Sequence, residues 1–238
     1  MIIRAFVILV MAYSLSACSW FGWGSEDTTE PPAELVDFDK KIEIQELWST
    51  GVGSGADEFY LKLKPAVDGE RLFAANHEGE VFAYNAMTGE KHWETELEKR
   101  VSGGVGAGED KVFVGTSDAE VIALDQTNGS VSWVVRVSSE VLSAPVVHDG
   151  IVVVRTGDGK LFGLNTDTGK RVWFYDRTIP ILTLRGTSSA VVSNNIVLAG
   201  FANGKLVSLN LQTGKEIWET AVAAPRGRSE LQRMVDID

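Results

Sequence analysis

Residues 151–177 read IVVVRTGDGKLFGLNTDTGKRVWFYDR. Ile151 to Thr156 is a β-branched run, of the kind that fits a pleated surface. Asp158-Gly159 is a two-residue hairpin signal, because such turns need positive φ and glycine adopts it freely. Lys160 to Leu164 reads as the next strand. Asn165 to Gly169 is a turn closed by a glycine suited to the left-handed region, and Arg171 to Tyr175 is another strand. Just upstream, Ser143 to His148 is a short apolar run stopped by Asp149-Gly150. The stretch therefore predicts four antiparallel strands joined by tight turns.

The same unit occurs three more times, in residues 71–97, 111–137 and 196–222. Trp93, Trp133, Trp173 and Trp218 are spaced by 40, 40 and 45 residues. Each follows a glycine by four positions (Gly89, Gly129, Gly169 and Gly214), and Asn85, Asp125, Asn165 and Asn210 stand four residues before those glycines. Asn203-Gly204 repeats the hairpin signal, and Glu78-Gly79 gives a weaker one. Four-stranded units repeating every forty or so residues predict an all-β fold, a β-propeller with blades at about 62–97, 102–137, 142–177 and 187–222. A sandwich or a barrel would not repeat itself at this period. A helical repeat would not be built from Val, Ile, Gly and Thr with period-two alternation. A tryptophan at one fixed place in each blade is expected to pack between blades rather than to bind a ligand. Residues 42–50, which include Trp48, read as a lone last strand.

Composition narrows the function. Of the 238 residues, 44% are hydrophobic and 23% charged, which is ordinary for a globular chain. The 22 basic and 33 acidic residues give a net charge of −11, which argues against nucleic-acid binding. The one cysteine, Cys18, can form neither an internal disulfide nor a Cys-rich zinc site. His77, His92 and His148 lie in different strands or turns, without ligand spacing. No G-x-S-x-G elbow is present. Gly103 to Gly108 is glycine-rich, but a hairpin rather than a helix follows it, which argues against a dinucleotide loop. Asp236-x-Asp238 would be half of a calcium loop, with no further ligands after it. No catalytic residue, cofactor site or metal site is predicted, and a binding scaffold is the better reading.

The N-terminus is an address. Met1 to Arg4 is a short positive start, and Ala5 to Tyr13 is apolar but too short to span a bilayer. Residues 1–17 read as a signal peptide. Leu15-Ser16-Ala17-Cys18 resembles the lipobox of bacterial lipoproteins, which implies cleavage before Cys18 and lipidation of its sulfur and amino group. Ser19 rather than Asp at the following position implies, by the sorting rule of such lipoproteins, delivery to the outer membrane. With Arg4 removed, 21 basic and 33 acidic residues leave a balance of −12. Residues 18–41 read as the anchor and a flexible acidic linker, and 42–238 as the propeller. Trp20, Phe21 and Trp23 either rest at the bilayer interface or make no fixed contact.

The motif A-x-[DN]-x-x-[TN]-G-x-x-x-W, carried by Ala83 to Trp93 and Ala123 to Trp133, resembles the PQQ-like repeat first recognised in quinoprotein dehydrogenases. Gly163 and Ser208 replace its alanine in the other two copies. Together with the lipobox and the acidic linker, it resembles the BamB family. These are lipoprotein subunits of the machine that folds and inserts β-barrel proteins into the outer membrane of Gram-negative bacteria. Two segments carry the closest match: Leu182-Thr183-Leu184-Arg185-Gly186, and Val235-Asp236-Ile237-Asp238. The resemblance implies that Leu182, Leu184, Arg185, Asp236 and Asp238 bind the barrel subunit BamA. It implies further contact with other assembly subunits and with unfolded outer-membrane proteins, at the periplasmic face of the outer membrane. It also implies eight blades, so the four found here suggest a truncated chain. A quinoprotein enzyme and a generic periplasmic ligand-binding propeller are the alternatives.

Topology points to the same segments independently. In an up-and-down blade every link from a fourth strand into the next blade emerges on one face. Residues 98–100 and 138–140 read as short links, 178–186 as a long one, and the link after residue 223 has not ended at Asp238. Long loops on a rigid scaffold are where function concentrates.

Overall fold

The computed structural model describes residues 34, 36, 41–56, 58–176 and 188–224. Contacts divide the chain into a unit at Met1–Ile44 and a second at Gln45–Asp238. All the strands among the described residues lie in the second. The first sheet comprises β1 (Ala66–Asp68), β2 (Arg71–Ala75), β3 (Glu80–Asn85) and β4 (Lys91–Glu96). The second comprises β5 (Val101–Gly108), β6 (Lys111–Thr116), β7 (Glu120–Asp125) and β8 (Val131–Arg136). The third comprises β9 (Val146–His148), β10 (Ile151–Arg155), β11 (Leu161–Asn165) and β12 (Arg171–Tyr175). The fourth comprises β13 (Val191–Ser193), β14 (Ile196–Gly200), β15 (Lys205–Asn210) and β16 (Glu216–Ala221). In each sheet neighbours in sequence are neighbours in space, and all pairings are antiparallel. These are four blades of a β-propeller.

The repeat motif has a physical reading, residue by residue. In blade three the Asn165 side-chain oxygen accepts from the Thr168 N–H at 3.0 Å and from its hydroxyl at 2.7 Å, which caps the turn. Gly169 has φ +66°, and its N–H closes back onto the Asn165 carbonyl at 2.9 Å. The register then shifts between Gly163 and Leu164, a bulge that sets Trp173 opposite Gly163. Asn85, Asp125 and Asn210 cap their turns in the same way. The first motif position is small because the tryptophan folds over it: a Cβ on Gly163 would lie 2.1 Å from the Trp173 ring.

Three expectations need correction. The Asp158-Gly159 turn is not a two-residue hairpin, since only Gly159 has positive φ. Thr156 pairs with Lys160 at 3.0 Å, and the three residues between them form a turn with a terminal left-handed glycine. The first strand of blade three begins at Val146 and not at Ser143, because Pro145 has no N–H to give to a ladder. Residues 42–50 form no ladder with any described strand, although Trp48 behaves as the blade tryptophans do.

A carboxylate network fastens the hairpin of blade three to the link before it. Asp158 accepts from Ser138 at 3.0 Å, from Thr156 at 2.6 Å and from Lys160 at 2.8 Å. Burial pushes the Asp158 carboxyl up, but the hydrogen bonds from Lys160, Thr156 and Ser138 outweigh it and hold the group below its ordinary value. A depressed carboxyl contributes stability above its unfolded pKa of about 3.9 and loses it as pH falls through the lower folded value. Acid titration of thermal stability should therefore show a gap between the native chain and Asp158→Asn at pH 7 that closes below about pH 4. A gap that persists at pH 2 would show that the contribution does not come from the charge.

Candidate functional site

The tryptophans form joints between blades. The Trp93 N–H donates to the Gln126 carbonyl at 3.0 Å, Trp133 to Thr166 at 2.8 Å, and Trp173 to Leu211 at 2.6 Å. Each ring lies flat on the glycine of the following blade: a Cβ on Gly129, Gly169 or Gly214 would stand 2.5–2.7 Å from atoms of the preceding blade, chiefly the ring. Trp48 makes the same joint to blade one, donating to the Ala86 carbonyl at 2.9 Å beside Gly89. Trp218 differs. It is 43% exposed, against 9% for Trp93 and 7% for Trp173, and meets no further blade among the described residues.

The two faces of the blades differ in what they carry. On one, the turn between strands one and two lies against the turn between strands three and four. Ala86 bonds to Glu70, Gln126 to Asp110, Thr166 to Gly150, and Leu211 to Asn195. On the other lie the hairpins between strands two and three, and here every fourth strand ends. The Leu97 N–H meets the Gly79 carbonyl at 3.0 Å, Val137 meets Ala119 at 2.8 Å, and Val222 meets Gly204 at 2.9 Å. Tyr175, the last residue of β12, pairs with Leu161 beside the hairpin of blade three. The described parts of the inter-blade links thus share one face. The link at 97–100 is clasped between two hairpins: the Val101 N–H bonds to His77 at 3.1 Å, and the Ser117 N–H to Arg100 at 3.0 Å. The second link is held likewise, by Val141 to Thr116 at 3.1 Å and Gly157 to Glu140 at 2.8 Å. It runs from 137 to 145, longer than the sequence reading gave it, because β9 starts late.

Leu182, Leu184 and Arg185 lie in residues 177–187, and Asp236 and Asp238 in residues 225–238. Both stretches, and Cys18, are outside the described residues. Their described stems are not. Asp176 follows β12, Ser188 precedes β13, and Val222 to Ala224 follow β16, all on the link face of neighbouring blades.

The histidines do not come together. The His77 Nδ1 is 2.9 Å from the Val101 carbonyl and its ring packs on Phe59, whereas His92 is exposed on β4 and His148 stands beside Asp149 at 3.6 Å. Among the described residues no group of three or more His, Cys, Asp or Glu is placed to hold a metal ion, and no helix is long and apolar enough to cross a membrane.

One residue of this face escaped the sequence reading. Arg155 is the last residue of β10, and only 3% of it is exposed. Its Nη1 donates to the Ser188 hydroxyl at 2.8 Å and to the Ser188 carbonyl at 3.3 Å. Its guanidinium lies 5.2 Å from the centre of the Phe201 ring. Aligning the four copies would have revealed it, since the corresponding residues are Ala75, Gly115 and Gly200.

The family model for outer membrane protein assembly factor BamB matches residues 45–103 and 77–238. The chain belongs to the BamB family. It is 50% identical over 231 residues to outer membrane protein assembly factor BamB of Pseudomonas aeruginosa, covering 97% of this chain and 60% of that protein. It is 45% identical over 235 residues to the BamB of Kangiella koreensis, covering 99% of this chain and 59% of that one. The chain thus spans about 60% of the length of the curated relatives it matches. The crystal structure of BamB from Moraxella catarrhalis aligns with a TM-score of 0.70 at 30% identity, over 76% of this chain and 55% of that one. A quinohemoprotein alcohol dehydrogenase from Pseudomonas putida aligns over 66% of this chain and 33% of its own, with a TM-score of 0.56 and 19% identity, a likeness of fold. The BamB relatives are named as assembly factors; the blade architecture itself is shared with enzymes.

Proposed function

We propose that this chain is a non-catalytic scaffold of the outer-membrane protein assembly complex, held at the periplasmic face of the outer membrane by lipid on Cys18. Its link face binds BamA through Leu182, Leu184, Arg185, Asp236 and Asp238, and the complex folds and inserts β-barrel proteins. The observation that carries the reading is the placement of the stems. Asp176, Ser188 and Val222 to Ala224 lead into and out of the two segments on one face of adjacent blades. Stems for two segments on one face of a blade pair suit a protein partner better than a small ligand. Arginine beside large apolar residues is the composition that such interfaces favour. The names of the relatives support the same reading.

The test is capture of BamA by the lipid-free chain. Leu184→Ala and Arg185→Ala should each lower capture at least tenfold, about 1.4 kcal/mol, with the melting temperature unchanged. Undiminished capture by both variants would remove these residues from the interface.

A further inference from the structure

At two of the three junctions between the described blades the link's own backbone bonds to the flanking hairpins, with His77, Ser102 and Asp158 beside it, and the third is held through a side chain of the second strand. Between blades one and two, and between blades two and three, the link lies close to the end of the second strand, and the residue there is small. Ala75 holds that register position in blade one and Gly115 in blade two. Val141 fills the space beside Gly115, where a Cβ would stand 2.2 Å from its side chain. Its N–H then reaches the Thr116 carbonyl at 3.1 Å. Between blades three and four, Arg155 stands in that register position, a charged side chain that is 3% exposed. Burial of a guanidinium is costly without hydrogen bonds and a polarisable neighbour. Arg155 has both, from Ser188 of the incoming chain and the face of Phe201 in the hairpin of blade four. Phe201 is fully buried and packs in turn on Tyr175, with ring centres 6.1 Å apart. One side chain thus holds both hairpins and the re-entering link. At the other junctions the link's backbone hydrogen bonds do this, together with His77, Ser102 and Asp158.

We propose that Arg155 is a positioning residue for partner binding: it fixes at Ser188 the point where the link between blades three and four rejoins the sheet, and so sets where that link stands on the BamA-facing side. Glycine or alanine suffices where the chain passes close. A side chain with planar donors takes that place where Ser188 leads back into blade four. The inference rests on the proposed role of the link face, and its test separates the two.

Amide hydrogen exchange in the full chain is compared for the native sequence, Arg155→Met and Arg155→Lys, alongside capture of BamA. Arg155→Met keeps an unbranched apolar stem and loses the charge and the donors. It should speed exchange of Ser188 to Val192 at least tenfold, leave β11 and β15 unchanged, and lower capture at least fivefold. Arg155→Lys, which retains a charge and a donor, should stay within about threefold of the native chain in both measurements. Unchanged exchange at Ser188 to Val192 overturns the proposal, as does a rise shared equally by every strand, which marks general packing. If Arg155→Met does not fold, Ser188→Ala decides. Loss of the 2.8 Å partner should raise local exchange about threefold, and no rise overturns the assignment. Faster local exchange with native capture, in a preparation where Leu184→Ala abolishes capture, refutes the link to partner binding. If Leu184→Ala itself leaves capture undiminished, the reading of the face fails, and the exchange data still decide what Arg155 does.

Discussion

Trp173→Ala is expected to destabilise the chain by about 3–5 kcal/mol in a urea melt, the range for deleting a large aromatic side chain from a packed core. Three losses add. The ring is 7% exposed and packs with Ile151, Val153, Leu161, Val197 and Leu209, so its removal leaves a cavity between blades three and four. Its N–H donates to the Leu211 carbonyl at 2.6 Å, and that carbonyl would lose its partner. The flat contact with Gly214, which a Cβ would obstruct at 2.6 Å, joins the blades and goes with the ring. Trp218→Ala is the internal control. The same residue at the same motif position is 43% exposed, and its truncation should cost less than about 1 kcal/mol. Trp173→Phe retains most of the apolar area but not the donor, and should fall between the two. Equal costs for Trp173→Ala and Trp218→Ala would mean that the stabilisation arises within each blade and not at the joint.

The difference between those two tryptophans also separates what a sequence can carry from what it cannot. The motif is local chemistry. An Asx side chain caps a turn, a glycine takes positive φ, and a bulge aligns the tryptophan with a small residue, so four aligned copies suffice to place the strands. Strand limits fail where a neighbour decides them. Residues 42–50 have the composition of a strand but no ladder partner among the described residues, and Pro145 ends a ladder that the apolar run Ser143 to His148 suggests. The link face could be reasoned out from the order of up-and-down strands alone. Arg155 was hidden because its neighbours in sequence, Val154 and Thr156, are ordinary strand residues. What distinguishes it is a register position shared with Ala75, Gly115 and Gly200. Leu182, Leu184, Arg185, Asp236 and Asp238 are legible only through resemblance and loop order, because an interface leaves no periodic pattern in the sequence.

The glycine-rich stretch Gly103 to Gly108 lies within β5, the inner strand of blade two, and gives the second large effect. Gly106 needs no unusual backbone angle. It pairs with Phe113 on one side, and on the other the chain entering blade three passes so close that an added Cβ would lie 2.1 Å from the Pro145 carbonyl oxygen. Backbone lies in the way rather than the end of a flexible side chain, so relief requires moving the strand or the link. Gly106→Ala should therefore cost about 3 kcal/mol, the upper end of the range for overpacking, and Gly106→Val more. Gly51→Ala supplies the comparison: nothing stands within 4 Å of a Cβ there, and the change should be neutral within about 0.5 kcal/mol. The damage at Gly106 should also spread. Val141 to Pro145 carry the link over blade two, so exchange of the Val141 amide, bonded to the Thr116 carbonyl at 3.1 Å, should quicken along with that of β5. If Gly106→Ala melted like the native chain, the inner strands would stand farther apart than this packing allows. The glycines of β5 would then need an explanation other than close approach of the blades.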